Sequence, residues 1–331
     1  MKDAIRELLV CPACHGALRW IIDERDGEDV EVATARCGAC GVDYPVREGI
    51  GGFLTPDLSR NDLWEDAEGG LASSLREDPE LERALLETSL ADLNPADRFI
   101  RAVLLESRRA FRDAREAQAS ARAGLHTPEY LEAWESQMSY VGGRLSASSG
   151  PVIDLASGRG YLIERLVDLS RLIVVTDFSP SVLRRDRRWF GAFAMDGHLD
   201  FLAFDARRTP FRDGGVARMT SNVGLSNVRG PDGLLRELRR VIDGEFLSIM
   251  CFYPEDDEEN REAIEELGLE PFLYEGSTRE RFARAGFEIS PENVRTGRAL
   301  PTPRSELIEG AGIDGLPVAE TVLTWATLVA R

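Results

Sequence analysis

Residues 152–160 read VIDLASGRG, and this stretch restricts the fold of the chain more than any other. An apolar pair, an acid, small residues and two glycines come before a helical pattern that begins at residue 161. This order predicts a strand, a tight turn and a helix. Glycine adopts positive φ without strain, and the N–H groups that open a helix bind electron-rich groups, so the turn is typical of nucleotide binding. One glycine-rich turn is a weak signal alone, and the interpretation depends on the strands that follow.

Acids stand at the ends of the predicted strands. Residues 172–176 and 199–204 are apolar runs, and they lead to Asp177 and Asp205. Asp177 follows Asp154 by roughly 20 residues, the separation at which the acid of a dinucleotide-type fold meets a ribose. A carboxylate suits this role because it accepts hydrogen bonds from both ribose hydroxyls. Ligands bind at the carboxyl ends of the strands in an open parallel sheet, so these acids predict one shared crevice.

A polar run at residues 221–227 follows a fourth predicted strand. Together with residues 154–160 and the two later acids, it resembles the class I S-adenosylmethionine-dependent methyltransferases, and the resemblance covers about residues 130–331. It implies that Asp177 holds the ribose hydroxyls, that Asp205 contacts the adenine and that Phe178 flanks the ring. The cofactor contacts that it implies are Asp154, Ala156, Ser157, Gly158, Gly160, Asp177, Phe178, Ser179, Asp205, Ala206 and Asn222.

The resemblance also implies a fold class, α/β with a Rossmann-like, seven-stranded methyltransferase sheet. The β-rich residues 319–330 would be the final strand, inserted antiparallel at the sheet edge. A nicotinamide-dependent dehydrogenase is the competing interpretation, but residues 156–160 do not provide the G-x-G-x-x-G fingerprint. Ala156 stands where the family often has glycine, and this small substitution is compatible with binding. The implied cofactor is S-adenosylmethionine, with S-adenosylhomocysteine as the product.

Four of the five cysteines form two C-x-x-C pairs, Cys11 with Cys14 and Cys37 with Cys40. Each pair suits a turn that directs two thiolates at one tetrahedral zinc, and four thiolates leave no position for water, so the zinc is expected to be structural. Disulfides are the alternative, which a reducing cytoplasm disfavours. The surrounding residues 8–18 and 40–50 resemble the small zinc-ribbon proteins that activate tRNA and protein methyltransferases. This resemblance implies that a protein partner could bind through the ribbon.

The predicted organisation has three parts: a zinc-ribbon domain at residues 1–54, a helical insert at residues 55–126 and the methyltransferase domain at residues 127–331. Asn94 and the proline after it predict a helix start, with the helix running to about residue 123 and Gly124 as its stop. The insert is absent from a minimal methyltransferase fold. It is expected to be either a lid over the cofactor crevice or a plain spacer.

The chain is strongly acidic, with 40 Lys and Arg against 58 Asp and Glu and a formal net charge of −18. Such a charge repels the phosphate backbone of nucleic acids and makes them the less favoured partner. A local arginine cluster at residues 184–188 is expected to be a solvated helix face. No apolar run approaches the roughly 20 residues of a membrane span, and the N-terminus lacks an apolar signal core. We therefore expect a cytoplasmic protein that does not insert into a membrane.

Methyl transfer from a sulfonium requires alignment of donor and acceptor and exclusion of water, so no catalytic triad is expected. The weak catalytic candidates are His126 as a general base, Tyr130 near the methionine end of the cofactor, and Asn222 facing the methyl donor. The sequence favours a methyltransferase that acts on a small molecule, such as a specialised metabolite. An rRNA or tRNA methyltransferase is the enzyme alternative. A non-catalytic S-adenosylmethionine-binding regulatory or scaffold protein is the alternative of another class.

Overall fold

The computed structural model describes residues 1–58, 70–71, 73–75 and 77–331. The strands are β1 (Leu18–Asp26), β2 (Asp29–Cys37), β3 (Asp43–Arg47), β4 (Ile50–Gly52), β5 (Val152–Asp154), β6 (Ile173–Asp177), β7 (Leu199–Ala203), β8 (Val216–Asn222), β9 (Ile242–Phe252), β10 (Ile289–Ala299) and β11 (Thr321–Ala330). The helices are α1 (Asp3–Arg6), α2 (Pro79–Glu87), α3 (Pro95–Ser107), α4 (Phe111–Leu125), α5 (Pro128–Ser146), α6 (Tyr161–Leu166), α7 (Pro180–Ala192), α8 (Pro231–Val241), α9 (Glu258–Leu267), α10 (Glu270–Leu273) and α11 (Glu275–Arg284). None of these helices is both long and apolar enough to cross a membrane. The predicted insert at 55–126 lies partly outside the described residues.

The strands around the glycine-rich turn form the centre of one mixed sheet, whose order is β1-β2-β3-β4-β7-β6-β5-β8-β9-β11-β10. β7, β6, β5, β8 and β9 run parallel to one another. β11 pairs antiparallel with β9 on one side and with β10 on the other. The prediction that the last strand is antiparallel is confirmed. Its predicted place at the sheet edge is wrong, because β10 pairs along the outer side of β11 and forms the edge itself.

The expected count of seven strands is wrong, because the seven strands β5–β11 are continued by four strands of the N-terminal module (residues 1–54). β4 pairs in parallel with β7, with Ile50 opposite Phe201 and Gly52 opposite Ala203. The Phe53 N–H then donates to the Ala203 carbonyl at 2.7 Å. This pairing satisfies backbone groups that an edge strand would leave exposed. The sheet is therefore continuous from the module to the cofactor crevice, and it has eleven strands.

Helices cover both faces of the parallel strands. Ile173 and Val175 of β6 belong to one hydrophobic core, whereas Val174 between them belongs to the other. Successive side chains of a strand point to opposite faces, so a strand that is apolar throughout requires a core on each side. Met138 and Val141 of α5 are buried in the first core, so this helix packs on the sheet.

The arginines of α7 connect this helix to other parts of the protein. Arg187 donates to both carboxylate oxygens of Glu31 in β2, at 2.9 and 2.7 Å. Arg185 is largely buried and donates to the Gly158 carbonyl at 2.9 Å. The prediction of a solvated face is therefore wrong for these two arginines, because their partners lie too far away in sequence to be recognised from local charge pattern. Arg187 instead anchors α7 to the N-terminal module.

The predicted helix at residues 95–123 is two helices, α3 and α4, packed as a hairpin. The chain turns at Arg109, whose φ is 60°, a value that does not continue a right-handed helix. Gly124 lies inside α4 rather than after it, so its predicted role as a helix stop is wrong. A Cβ at Gly124 would lie 2.6 Å from Cγ of Pro95, the first residue of α3. Glycine at this position permits the close approach of the two helices.

Candidate cofactor and acceptor site

The glycine-rich turn joins β5 to α6 at the carboxyl end of the central strands. Ala156, Gly158 and Gly160 all have positive φ, at 53°, 53° and 70°. Backbone hydrogen bonds fix the turn between its neighbours: the Leu155 N–H donates to Thr220 of β8 and the Ser157 N–H to Thr176 of β6, both at 2.8 Å. For Ala156, the left-handed conformation costs about 1–2 kcal/mol relative to glycine, so the surrounding sheet holds this residue under strain.

Asp177 lies at the end of β6, directly beside the glycine-rich turn. Its carboxylate accepts hydrogen bonds from the Gly158 N–H at 3.1 Å and from the Ser179 N–H at 2.9 Å. The acid thus connects the turn to the start of α7, and its position is fixed by two backbone donors. Both Asp177 and Phe178 line the same large cavity.

Asp205 lies at the carboxyl end of β7 on the wall of the same cavity. Its carboxylate forms a bidentate pair with Arg207, at 2.9 Å from Nε and 2.6 Å from Nη2, and also accepts from the Arg207 N–H at 2.8 Å. An adenine that contacts this carboxylate therefore shares it with a guanidinium. Ala206, the next residue, lines the cavity as well.

Asp154 is buried beneath the turn rather than on the cavity wall. Thr220 donates its hydroxyl to one carboxylate oxygen at 2.6 Å, and the other oxygen has no hydrogen-bond partner among the described residues. Burial raises the pKa of Asp154 to about 6. Of the eleven predicted cofactor residues, Asp154, Gly160 and Ser179 do not line the cavity; those that do are Ala156, Ser157, Gly158, Asp177, Phe178, Asp205, Ala206 and Asn222.

Aromatic side chains form the wall beyond Asn222. Trp134 donates its indole N–H to the Asn222 side-chain oxygen at 2.9 Å. The Trp134 ring meets Tyr161 edge to face, with centroids 5.3 Å apart, and stacks near Trp325 with centroids 6.2 Å apart. Tyr130 completes the wall with its centroid 5.0 Å from that of Trp325. All of these side chains line the cavity.

The two weak aromatic candidates from the sequence lie together on this wall. The rings of His126 and Tyr130 are stacked, with centroids 4.2 Å apart and planes within 3°. Burial, together with the nearby Arg122 guanidinium, lowers the pKa of His126 to about 4. The imidazole is therefore neutral at pH 7, but a conjugate acid this strong makes it a weak general base.

Sequence reasoning missed three members of the aromatic wall. Trp134 lies within α5 and Tyr161 begins α6, and both face the cavity. Trp325 lies in the last strand, whose pattern indicates burial and gives no sign of a ligand. The position of Tyr161 directly after the glycine-rich turn was the available signal. It does not by itself distinguish core from cavity wall.

The helical hairpin α3–α4 and the loop between β10 and β11 enclose the cavity, whose volume is about 1510 Å³. Phe99 and Glu106 of α3 line it, as do Ile308 and Asp314 of the loop. The two segments also contact each other, because Asp97 of α3 accepts a hydrogen bond from the Glu306 N–H at 3.1 Å. The hairpin therefore lies over the glycine-rich turn and does not project away from the domain.

The four predicted zinc ligands converge in the N-terminal module. The Sγ atoms of Cys11, Cys14, Cys37 and Cys40 all lie within 4.8 Å of one another. The Cys11–Cys40 and Cys14–Cys37 sulfur distances are 3.6 and 3.5 Å, close to the roughly 3.8 Å that tetrahedral bonds of about 2.3 Å require. Backbone N–H groups of residues 39 and 40 donate to Cys37 Sγ and lower its pKa to about 6. The donor set and geometry fit a four-thiolate metal site.

Comparison with known proteins is consistent with this arrangement. Residues 152–244 match the family model described as a methyltransferase domain. The chain is 34% identical to the demethylmenaquinone methyltransferase of Renibacterium salmoninarum over 90 residues. The aligned segment covers 27% of this chain and 35% of that protein. The chain is 32% identical to the ubiquinone/menaquinone biosynthesis C-methyltransferase UbiE of Pseudomonas putida over 98 residues. This second alignment covers 29% of this chain and 38% of that protein.

The chain thus spans little more than a third of the length of the curated relatives it matches. Among solved structures, the YcgJ protein from Bacillus subtilis aligns with a TM-score of 0.48 and 13% identity, covering 59% of this chain and 97% of that one. The family match begins at β5 and includes the glycine-rich turn, Asp177 and Asp205. The similarity to a methyltransferase domain therefore covers β5–β8 and the start of β9.

Proposed function

We propose that the chain is a class I S-adenosylmethionine-dependent methyltransferase. The observation that carries the proposal is the fixed geometry of the glycine-rich turn, whose Gly158 N–H is hydrogen-bonded to Asp177 at the carboxyl ends of β5 and β6. Both residues lie inside the segment that matches a methyltransferase domain. When bound there, S-adenosylmethionine supplies a methyl group on a sulfonium sulfur, and S-adenosylhomocysteine is the product.

The residues of this chain have binding and orienting roles in the proposal. Asp177 binds the ribose hydroxyls, and Phe178 and Asp205 contact the adenine on the neighbouring strand ends. Asn222 is held in place by the Trp134 indole and faces the methyl donor. The aromatic wall excludes water from the space beyond it. These roles suffice for an in-line displacement at an activated carbon, which depends on alignment more than on acid–base chemistry.

We propose a small-molecule acceptor. The cavity of about 1510 Å³ exceeds the roughly 300–1,000 Å³ of a site for one drug-sized ligand, which leaves volume for an acceptor beside the donor. The matched relatives are named for methylation in quinone biosynthesis, which is small-molecule chemistry. The α3–α4 hairpin covers part of the cavity, and the net charge of −18 repels phosphate groups. Both features disfavour a nucleic acid as the methyl acceptor. The hairpin acts in this proposal as a lid over the bound donor.

We further propose that the four cysteines hold a structural zinc. Four thiolates leave no open coordination position, so the metal stabilises the N-terminal module and takes no part in the reaction. Residues 8–18 and 40–50 of the module resemble zinc-ribbon methyltransferase activators, and in this chain β4 pairs with β7 and Arg187 binds Glu31. The module therefore supports the methyltransferase domain of its own chain, and its remaining surface is available to a protein partner.

The proposed activity is tested with radiolabelled methyl donor and a size-fractionated bacterial extract. We expect label in the small-molecule fraction, and about tenfold weaker S-adenosylhomocysteine binding or more in Asp177→Asn, because a charge-assisted bond to the ribose is lost. Asp243→Asn is the matched control. Asp243 is exposed near the amino end of β9, whereas the proposed donor site lies at the carboxyl ends of the parallel strands. Label in nuclease-sensitive polymer would support an RNA methyltransferase instead. Tight donor binding without transfer would support a non-catalytic binding protein.

A further inference from the structure

One carboxylate on the cavity wall has no role in binding the donor. Asp314 lies in the loop between β10 and β11 and lines the cavity together with Tyr130, Cys251 and Tyr253. Asp314 is exposed on this wall, and desolvation by the surrounding protein raises the pKa of its carboxyl group. Asp177, by contrast, accepts a hydrogen bond from the Gly158 N–H of the glycine-rich turn. Asp314 is thus an acid of the cavity wall that is separate from Asp177 and Asp205.

Within the described residues, Asp314 is held by a backbone donor and not by an ion pair. Its carboxylate accepts a hydrogen bond from the Leu316 N–H at 3.4 Å, and no Lys, Arg or His among the described residues forms an ion pair with it. The titratable neighbours that respond to its charge are Cys251, Tyr253 and Tyr130, whose pKa values are all raised. All three are therefore neutral at pH 7. The Arg122 guanidinium lies over the rings of Trp134 and Tyr161, 4.9 and 5.1 Å from their centroids, and helps to lower the pKa of His126.

The neighbouring rings add a second feature that favours a cation. Aromatic faces attract ammonium groups, most strongly where water is excluded. The rings of Tyr130 and Trp325 lie edge to face with centroids 5.0 Å apart, and both line the cavity, as does Tyr253. A carboxylate without a cationic partner, placed beside several aromatic rings, recognises an amine better than a neutral or anionic group of the same size.

We propose that Asp314 is the specificity-determining residue of the acceptor compartment, and that the acceptor is an aromatic or apolar molecule bearing a cationic amine. This inference rests on the proposed methyltransferase function. Asp314 pairs with the ammonium group, and the ring system of the acceptor packs against the aromatic wall. Asp314 acts in recognition, because it binds the acceptor and orients it toward the donor site. The geometry around Asn222 determines which atom is methylated.

The test compares three probes of equal size that differ in charge. Benzylamine, benzyl alcohol and benzoate are titrated calorimetrically at pH 7 into the full chain, with and without saturating S-adenosylhomocysteine. We expect benzylamine to bind at least about tenfold more tightly than benzyl alcohol, with benzoate the weakest. In Asp314→Asn the preference for benzylamine over benzyl alcohol falls to about twofold or less, while the affinity for benzyl alcohol is unchanged.

Matched variants separate recognition from folding. Asparagine at position 314 retains the oxygen that accepts the Leu316 N–H, and an unchanged S-adenosylhomocysteine affinity reports an intact site. Glu306→Gln removes an exposed carboxylate from the same loop and is expected to keep the preference for the amine. The proposal is overturned if benzylamine binds no better than benzyl alcohol, if no probe binds, or if the preference survives in Asp314→Asn. If the unsubstituted protein does not bind S-adenosylhomocysteine, the result would instead count against the methyltransferase function.

Discussion

Glu106 of the helical hairpin and Arg159 of the glycine-rich turn form an ion pair whose side chains are only 3% and 7% exposed. The Arg159 guanidinium also lies over the Phe99 ring, 4.9 Å from its centroid, so two residues of α3 hold one residue of the turn. Arg185 adds a second positive charge 3.8 Å from Glu106. The hairpin is thereby connected electrostatically to the loop that is proposed to bind the donor.

Replacing Glu106 by Gln should weaken this connection. The change removes the buried counter-charge of Arg159 and one of the two acids near Arg185, and removal of one partner of a buried pair costs about 3–5 kcal/mol when no other group compensates. Because Asp186 still pairs with Arg185 at 2.6 Å, we expect a smaller loss of about 1–3 kcal/mol in the free energy of unfolding. Urea denaturation measures this loss, and calorimetry should show weaker S-adenosylhomocysteine binding.

Glu116→Gln provides the control for Glu106, because Glu116 is exposed on α4 of the same hairpin. It should change the free energy of unfolding by no more than about 0.5 kcal/mol. If Glu106→Gln reduces stability while donor affinity is unchanged, the hairpin is a structural support and the lid interpretation is wrong.

Ala156→Gly is expected to be neutral or stabilising. Ala156 has a φ of 53°, and relief of the left-handed conformation returns about 1–2 kcal/mol, against an entropic cost of roughly 0.5–1 kcal/mol for a new glycine. Ala119→Gly is the matched control, since Ala119 is exposed in the middle of α4 and the same substitution there should cost about 1 kcal/mol. Thermal and urea unfolding would contradict the assignment of strain if the two variants lost equal stability.

The sequence predicted the local part of this architecture well. The strands, the glycine-rich turn and the acids at the strand ends follow from short patterns, because a strand, a tight turn and a helix start are each encoded within about ten residues. For the same reason the paired cysteines predicted a four-sulfur cluster that the structure confirms. The enclosing arrangement around the cavity is not encoded locally. The Glu106–Arg159 pair joins residues 53 apart in sequence.

Two further features depend on tertiary pairing that no local pattern specifies. β4 has only three residues, and its pairing with β7 joins the N-terminal module to the parallel strands in one sheet. The end of α3 likewise depends on packing, because the residues around Arg109 carry no glycine or proline that would predict a break. Trp325 shows the same limit for the site, since an apolar strand residue and a cavity-wall residue have the same local pattern.

The His126 imidazole should make stability depend on pH. Its pKa is lowered from 6.5 to about 4, so the folded state favours the neutral ring. The stabilisation is fully present above pH 6.5 and is lost as the pH falls from about 6.5 to 4. A shift of this size corresponds to the order of 3 kcal/mol. We expect the difference in unfolding free energy between the unsubstituted protein and His126→Gln to shrink by that order over this range.

His198→Gln is the control for this pH series, because His198 is exposed before β7 and lies outside the aromatic wall. The same pH series on this variant measures the effect of removing an exposed imidazole from outside the wall. Since all other groups titrate in both proteins, only a shifted histidine produces a pH-dependent difference. A constant difference for His126→Gln would show that its ring is solvated and not stacked within the wall.

Zinc removal should weaken binding at the donor site, because the N-terminal module and that site share one sheet. We expect one zinc per chain by elemental analysis, and loss of it in Cys37→Ser, because the four sulfurs form one cluster. Metal-free protein should lose several kcal/mol of stability, since binding free energy of a structural zinc is folding free energy. β4 pairs with β7, which leads to Asp205, so S-adenosylhomocysteine affinity should also fall. Cys251→Ala, which removes the cysteine outside the cluster, should retain the zinc. Full donor affinity in a metal-free chain would instead mean that β7 keeps its position without the N-terminal module.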